Sequence, residues 1–268
     1  MKTQEQVEKY TEEKFKRTFG VDRNTFQVML SGLEEQYKFS HRKGGRRPKL
    51  KIFDRLCIFF AYYRDYRTFE DIANDYSVAT STVFDAISLL ENALNGSGKF
   101  MLPKREELTK NPPELIIIDT TEVEIEQPKK GFEYYSGKKR HTVKAQIITD
   151  YKSCNILSVD FSGGKSHDFA LFKTTCNIIS EKTLILADKG YQGIAKFHKN
   201  SLTPIKRFNK RELSPSEKWY NKIVSQSRAI IERINRRLKV FRILSERFRN
   251  KLSKFERVYN KLCKIKNN

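Results

Sequence analysis

The hydrophobic pattern of this chain changes at Asn111-Pro112-Pro113, and that change constrains the fold more than any other feature. From Tyr10 to about Leu94, apolar residues recur at helical spacing. The stretch Asn95-Gly96-Ser97-Gly98 breaks this pattern, and short β-rich runs follow the two prolines. The sequence therefore predicts a helical domain over residues 1–110 and a mixed α/β domain over residues 111–268.

The second half alternates strands and helices in a definite order. The predicted strands are Leu115–Ile125, His141–Thr149, Ile156–Phe161 and Thr183–Ala187. A helix over Asp168–Ile179, which Ser166 or His167 could cap, lies between the third and fourth strands, and a long helix is predicted from about Pro215 to Phe248. This is the order of an RNase H-like domain, in which the first strand is central and lies beside the fourth.

The chain carries a large excess of positive charge. Its 53 Lys and Arg residues against 32 Asp and Glu give a formal net charge of +21, which indicates a polyanionic partner such as DNA. A ribosome-associated or merely basic protein is the alternative. No apolar run is long enough for a membrane span and no signal peptide is recognisable, so we expect a cytoplasmic protein. The four cysteines show no paired spacing, which predicts neither a zinc site nor a disulfide frame.

Three acidic residues stand where they could hold metal ions together. Asp119 interrupts LIIIDTTEVEI, Asp188 follows TLILA, and Glu232 lies on the long basic helix. A charge set into a buried strand must be solvated, paired or metal-bound. Converging carboxylates can hold Mg²⁺ or Mn²⁺, and two such ions can clamp an in-line phosphoryl displacement. We therefore predict these three acids as catalytic residues and metal ligands.

Each of these acids has a simpler interpretation when it is taken alone. Asp119 could be an exposed strand-end residue, Asp188 could open a turn, and Glu232 could be a solvated helix residue. Other acids compete for the same role, namely Glu122, Glu124, Asp150, Asp160 and Asp168. Only the joint arrangement of the three favours a metal site.

The long basic helix has two distinct faces. Its apolar stripe, with spacings of three and four, consists of Ile231, Ile234, Leu238 and Phe241 and is predicted to pack on the domain. Arg228, Glu232 and Lys239 cluster on nearly the opposite face. That face is either a solvated surface or a DNA-facing edge, on which Arg228, Arg236 and Lys239 would bind phosphates.

The acids and their neighbours form a recognisable pattern: Asp119 with Thr121, Asp188 with Lys189-Gly190-Tyr191, and Arg228-x-x-x-Glu232-x-x-x-x-x-x-Lys239. It resembles the signature of DDE transposases of bacterial insertion sequences, most closely the branch related to eukaryotic PIF/Harbinger elements. Similar stretches elsewhere are Tyr135–Thr142, Gly164–Asp168, Gly45–Lys49 and Tyr62–Thr68. The resemblance thus covers nearly the whole chain from about residue 20. Ser225 departs from it, because related signatures often have Tyr three positions before the Arg.

The resemblance implies both a fold and a reaction. The fold is an RNase H-like catalytic domain, a mixed sheet flanked by helices, preceded by an all-α helix-turn-helix domain. The protein would bind transposon ends, cut them with a metal-activated water and join the freed 3′-hydroxyl to target DNA. It would work on double-stranded DNA at the bacterial nucleoid as a homodimer or higher synaptic assembly, without a small-molecule substrate. A catalytically silent, transposase-derived DNA-binding protein is the alternative, and a hydrolytic nuclease of the same fold is a third.

The predicted helix-turn-helix lies in FEDIANDYSVATSTVFDAI. Ala73, Ser77 and Val83 fall at the small, turn and core positions of the motif, and Thr80 or Ser81 could cap its second helix. No Lys or Arg occurs from Val78 to Leu94. We therefore expect little base readout by Arg here, with packing or dimerisation as the alternative role. The DNA contacts predicted from this helix are Thr80 and Thr82.

Two basic segments are the predicted phosphate contacts. Glycines would let the tract 41–49 follow a groove, and Arg beside Pro resembles a minor-groove arm. Its predicted contacts are Arg42, Lys43, Arg46, Arg47 and Lys49. A second set, predicted to line the approach of the DNA, consists of Lys138, Lys139, Arg140, His141 and Lys144. A solvated linker and a solvated hairpin are the respective alternatives.

Overall fold

The chain forms two compact units. The structure, a computed structural model, describes residues 3–42, 44, 48–96, 98, 100–103, 105–176, 179–207 and 211–268. One unit comprises Met1–Met101 together with Arg237–Ser245 and Lys264–Asn268, and the other comprises Leu102–Arg236 and Glu246–Cys263. The two short C-terminal segments that join the first unit carry no signal in the local sequence pattern.

The helices and strands follow one another along the chain as follows. The helices are α1 (Gln4–Glu8), α2 (Glu12–Phe19), α3 (Arg23–Ser40), α4 (Ile52–Tyr63), α5 (Phe69–Tyr76), α6 (Thr80–Gly96), α7 (Arg105–Lys110), α8 (Asp168–Thr175), α9 (Pro215–Lys239), α10 (Arg242–Ser245) and α11 (Phe255–Lys266). The strands are β1 (Leu115–Glu124), β2 (Thr142–Asp150), β3 (Ile156–Gly163), β4 (Leu184–Leu186) and β5 (Ser201–Leu202). Among the helices described, none is both long and apolar enough to cross a membrane.

An aromatic cluster organises the first unit. The rings of Phe15, Phe19, Phe26 and Phe60 pack with centroids 4.8 to 5.7 Å apart, and all four side chains are buried. Helix starts are set locally, because the side chains of Thr11, Asp22 and Thr68 accept hydrogen bonds from the first turns of α2, α3 and α5. Short-range capping thus explains where the helices begin, and ring packing explains why they stay together.

Helices α5 and α6 form the predicted helix-turn-helix. Ala73 and Val83 are buried, and Ser77 turns the chain in the left-handed conformation with φ 50° and ψ 50°. The three positions predicted from the sequence are therefore confirmed. Helix α6 begins at Thr80 itself, and the amides of Thr82 and Val83 donate to the carbonyl of Ala79. Ala79, whose carbonyl accepts these first helical hydrogen bonds, is therefore the N-cap residue. The predicted cap at Thr80 or Ser81 is wrong by one or two residues.

The second unit is built on one five-stranded sheet with the order β3-β2-β1-β4-β5. Strand β1 is central, antiparallel to β2 and parallel to β4. One face of the sheet packs Ile116, Ile118 and Ile148 against Phe172 of α8. On the other face, Phe161 of β3 contacts Phe255 and Tyr259 of α11. A mixed sheet with helices on both faces, after a helical N-terminal region, confirms the predicted fold class.

Two predicted helices end earlier than expected. Helix α8 stops at Thr175, and its N-cap residue His167 makes no side-chain cap bond. Helix α9 ends at Lys239 rather than near Phe248. The reason is tertiary: the amide of Arg242 donates to the carbonyl of Arg64, and the amide of Phe248 donates to the carbonyl of Glu124 at the end of β1. These bonds replace the helical ones that a continuous helix would need.

Candidate active site

Asp119 lies on the central strand, with its side chain on the face opposite to Ile116 and Ile118. Side chains alternate along a strand, so this residue shares a face with Ile117 and Thr121. The Asp119 side chain is 19% exposed. A carboxylate so poorly exposed on a central strand needs compensating partners.

Asp188 is brought beside Asp119 by the pairing of β1 with β4. Ile117 pairs with Leu186, so each Asp comes two residues after a paired position on neighbouring parallel strands. The carboxylate of Asp188 accepts a hydrogen bond of 2.7 Å from the amide of Gly190 and thereby caps a short 3₁₀ turn. A Cβ atom at Gly190 would come within 2.9 Å of that carboxylate oxygen, so a side chain at this position would displace the Asp188 carboxylate.

A buried polar network supports this edge of the sheet. The hydroxyl of Tyr191 lies 2.7 Å from Thr120 Oγ1 and donates to Gln146 Oε1 at 3.1 Å. Gln146 in turn donates to Thr175 of α8 at 3.0 Å. Burial, together with the negative charge of the nearby carboxylates, raises the pKa of Tyr191 well above its usual range. The network fixes the backbone beside both acids and keeps the phenol neutral.

Helix α9 supplies two direct partners to Asp119. Arg228 Nη2 donates to Asp119 Oδ1 at 3.3 Å, and Asn235 Nδ2 donates to Asp119 Oδ2 at 2.8 Å. Seven residues make about two helical turns, so both side chains project from the same face. Within the described part of the chain, buried Arg228 Nε and Asn235 Oδ1 have no hydrogen-bond partner. Unsatisfied buried polar atoms are costly, and these two sit next to the candidate catalytic acid.

Glu232 lies on the same face of α9, between Arg228 and Asn235, and is exposed. Its charge is among those that raise the pKa of Asp119, although it has the smallest effect of those identified. The apolar stripe predicted for this helix is confirmed, because Ile231, Ile234 and Leu238 are all buried. The sequence analysis did not predict a role for Asn235. The feature that could have indicated it is its position two helical turns after Arg228, on the same face of α9.

The environment of Asp119 holds its pKa high. Burial is the largest cause, Arg228 opposes it, and the charges of Asp188 and Glu232 add to it, so that the pKa of Asp119 rises to about 6. The raised pKa thus reflects the burial of the Asp119 carboxylate, which the positive charge of Arg228 offsets only in part.

The raised pKa of Asp119 predicts that the wild type loses stability relative to the Asp119→Asn variant as the pH rises. Because the folded-state pKa lies above the unfolded value of 3.8, the stabilising proton is fully bound below about pH 4 and is lost as the pH rises through about 6. The wild-type free energy of unfolding, relative to that of the variant, should fall by about 2–3 kcal/mol over this window. Urea unfolding of both proteins in EDTA at several pH values measures this. A difference that stays constant with pH would contradict the high pKa.

The donor chemistry at this edge fits a divalent cation. Asp119, Asp188 and Glu232 offer only oxygen ligands, as Mg²⁺ and Mn²⁺ prefer. Within the residues that the structure describes, however, no group of three or more His, Cys, Asp or Glu side chains is arranged to hold an ion. The positive partner of Asp119 in this conformation is Arg228. The ligand types therefore fit, while Asp119 is held by α9 rather than by a closed set of acids.

Asp168 lies at the same edge of the sheet as Asp188. Both carboxylates approach Gly190, where a Cβ atom would be 2.9 Å from Asp188 Oδ1 and 3.4 Å from Asp168 Oδ2. Asp168 accepts a hydrogen bond of 2.8 Å from Lys144, whose ammonium also donates to the carbonyl of Ser166. This competing acid is therefore already ion-paired.

Most of the second basic set is paired with acids of β1 or its neighbours. Lys138 lies 3.4 Å from Glu122, and Arg140 lies 3.0 Å from Glu124. Lys144 is only 12% exposed and pairs with Asp168. Lys139 is exposed in the tight turn, and His141 is partly buried opposite Tyr135. The positive charge of this hairpin is thus largely neutralised at short range.

The remaining predicted DNA contacts are scattered. Lys43, Arg46 and Arg47 lie outside the described residues. Arg42 stacks over the ring of Phe39, and Lys49 Nζ donates to the carbonyl of Ser77 in the helix-turn-helix turn at 2.6 Å. Thr80 is exposed, and Thr82 is partly buried on α6. Arg236 is exposed on α9, while Lys239 belongs to the first unit.

Comparison with known proteins identifies the family. The model of the transposase DDE domain matches residues 110–264, and that of the helix-turn-helix of DDE superfamily endonucleases matches residues 48–100. The chain is also similar to the probable transposase for insertion sequence element IS702 of Microchaete diplosiphon, with 41% identity over 255 residues that cover 94% of this chain and 92% of the relative. The predicted transposase function is thereby confirmed. The chain belongs to the DDE transposases of insertion sequences, with a helix-turn-helix region before its catalytic domain.

Proposed function

We propose that Asp119, Asp188 and Glu232 are the catalytic acids of this transposase. The observation that carries the proposal is the pairing of β1 with β4, which sets Asp119 beside Asp188, together with the two hydrogen bonds that α9 makes to Asp119 on either side of Glu232. The expected reaction is cleavage at a transposon end followed by joining of the 3′ end to target DNA.

The three acids would hold divalent ions, Mg²⁺ or Mn²⁺, and we expect two ions at the site. Ions bound there supply Lewis acidity and charge stabilisation at the scissile phosphate. The chain itself contributes orientation. Arg228 and Asn235 hold the Asp119 carboxylate by separate oxygens, so that its plane is fixed. Arg228 Nε is buried and has no hydrogen-bond partner among the described residues, so a contact with a phosphate of the bound end would require the guanidinium to move away from Asp119.

The bond changes need no covalent link to the protein. A water oxygen forms a bond to phosphorus as the P–O bond to the 3′ oxygen breaks, and that oxygen leaves with a proton. In the second step the freed 3′-hydroxyl attacks a phosphorus of target DNA and displaces its 3′ oxygen. Both steps need negative charge to be stabilised at one place, which is what a set of fixed carboxylates with cations provides.

We propose further that residues 1–110 bind the transposon ends and that residues 111–268 form the catalytic domain. The family models matched to 48–100 and 110–264 support this division. Because Arg237–Ser245 and Lys264–Asn268 pack with the N-terminal helices, an isolated fragment of residues 1–110 would lack part of its unit. Tests of DNA binding should therefore use the full chain.

The basic tract is expected to dominate the salt dependence of binding. Each phosphate contact contributes about 0.9 to the slope of log affinity against log salt. Replacing Arg42, Lys43, Arg46 and Arg47 by Ala should therefore reduce the magnitude of that slope by about 3.6. Lys49→Ala should change it less, because Lys49 Nζ donates to Ser77. The slope comes from titrating a duplex with the full chain at several salt concentrations.

The matched control is the double substitution of Thr80 and Thr82 by Ala, which removes no charge and should leave the slope unchanged. An unchanged slope in the Arg and Lys variant would move the phosphate contacts to Lys139 and α9.

Three more specific expectations, on oligomeric state, location and family branch, complete the proposal. Two copies or more of the chain should assemble on paired ends, a state that light scattering on end-bearing DNA would detect. The protein should act at the nucleoid in the bacterial cytoplasm. Membership of the branch related to PIF/Harbinger elements rests on the motifs quoted for the resemblance.

A further inference from the structure

The second helix of the helix-turn-helix exposes an unusual set of side chains. In this motif the second helix enters the major groove with its N-terminal residues towards the bases. The exposed residues at that end of α6 are Ala79, Thr80, Ser81, Phe84 and Asp85. Val83, Ala86 and Ile87 are buried on the other side. The face available to DNA therefore carries hydroxyls, one phenyl ring and one carboxylate.

Phe84 is the large apolar group on this face, and its side chain is 49% exposed. Its ring is supported from one side, because the Phe69 centroid lies 6.4 Å away and Phe69 in turn lies 4.9 Å from Tyr62. A single exposed aromatic residue is ordinary on a protein surface. Its place one turn after Thr80, on the helix that faces the groove, is what makes Phe84 informative.

The exposed side chains of α6 determine which bases this helix can contact in the major groove. No Lys or Arg occurs from Val78 to Leu94, so the bidentate contact with guanine is missing from this helix. A phenyl ring suits the C5-methyl group of thymine, and a carboxylate such as that of Asp85 accepts from the amino group of cytosine. The face is thus matched to pyrimidines in the major groove.

We propose that Phe84 is the specificity-determining residue of the helix-turn-helix and that its ring contacts the C5-methyl group of a thymine at the transposon end. The inference rests on the proposed DNA-binding role of residues 1–110. Affinity comes from phosphate contacts of the basic tract, and sequence preference comes from this apolar contact with help from the hydroxyls of Thr80 and Ser81.

The test compares thymine with uracil, which lacks only the methyl group. Duplexes with a randomised core are selected with the full-length wild-type protein, and the preferred duplex is then made with uracil at one thymine position at a time. Uracil at one position should weaken wild-type binding about fourfold, the effect of one buried methyl group. Phe84→Ala should bind the thymine and uracil duplexes equally, and Phe84→Leu should keep part of the difference.

Phe197→Ala is the matched control, because this ring is similarly exposed at 52% but lies outside the helix-turn-helix. It should keep the wild-type ratio of thymine to uracil affinities. A Phe84→Ala protein that keeps this ratio overturns the proposal, and if it also loses self-association by light scattering, the ring belongs to an interface with a second copy. Wild-type binding without any sequence preference would instead overturn the recognition role of the whole helix-turn-helix.

Discussion

We expect DNA cleavage to be abolished, and DNA binding to stay largely intact, in each of the variants Asp119→Asn, Asp188→Asn and Glu232→Gln. Each substitution removes a charged oxygen ligand and keeps the size of the side chain. The loss should be on the order of 10³-fold or more in the single-turnover rate, as for removal of a principal stabiliser of transition-state charge. The measurement is cleavage of a labelled, repeat-bearing duplex with Mg²⁺ or Mn²⁺, with EDTA as the metal-free arm.

Two further acids serve as controls for this prediction. Glu126→Gln removes an exposed carboxylate whose nearest ion pair, with Arg247, is 4.0 Å long, and it should leave the rate nearly unchanged. Asp168→Asn tests the competing acid beside Asp188. Full activity of Glu232→Gln with loss in Asp168→Asn would make Asp168 the third acid. Cleavage that persists in EDTA would rule out the metal mechanism, and absence of cleavage by the wild type would favour the catalytically silent alternative.

Arg228→Ala and Asn235→Ala should also reduce cleavage strongly, because both side chains orient Asp119. Residues that hold a metal ligand in place typically contribute about 10–100-fold to activity. We expect about 100-fold for Arg228→Ala, since it removes a charge as well as a hydrogen bond, and about 10-fold for Asn235→Ala. Arg228→Lys should stay impaired, because an ammonium cannot reproduce the fork of a guanidinium.

The pH profile separates this role from a merely structural one. Burial raises the pKa of Asp119 and Arg228 opposes that effect, so Arg228→Ala should move the acid limb of the cleavage rate to higher pH. Arg236→Ala, at an exposed position of the same helix, should cost little and leave the limb in place. Lys239→Ala should reduce cleavage more than Arg236→Ala does if Lys239 binds phosphate. Equal, small losses for Arg228, Arg236 and Lys239 would mean that this helix face is only a basic surface.

Local patterns in the sequence were sufficient to predict the type of each main element. Alternation and β-branched residues predicted β1 to β4, and the spacing of Ile231, Ile234 and Leu238 predicted the buried face of α9. These signals work because a strand repeats every two residues and a helix every 3.6, whatever the rest of the chain does. The two residues of β5 carry too little pattern to be predicted.

The sequence by itself determined the helix-turn-helix and the type of the main strands and helices, because each rests on residue types at short, regular spacings, and its motifs single out Asp119, Asp188 and Glu232 as candidate acids. Only the tertiary structure decided that Arg228 and Asn235 bind Asp119 from more than a hundred positions away along the chain. It also decided that α9 ends at Lys239, that the positive charges of Lys138, Arg140 and Lys144 are paired, and that two C-terminal segments complete the N-terminal unit. Such contacts depend on how strands and helices pack, and packing joins residues that no local periodicity relates.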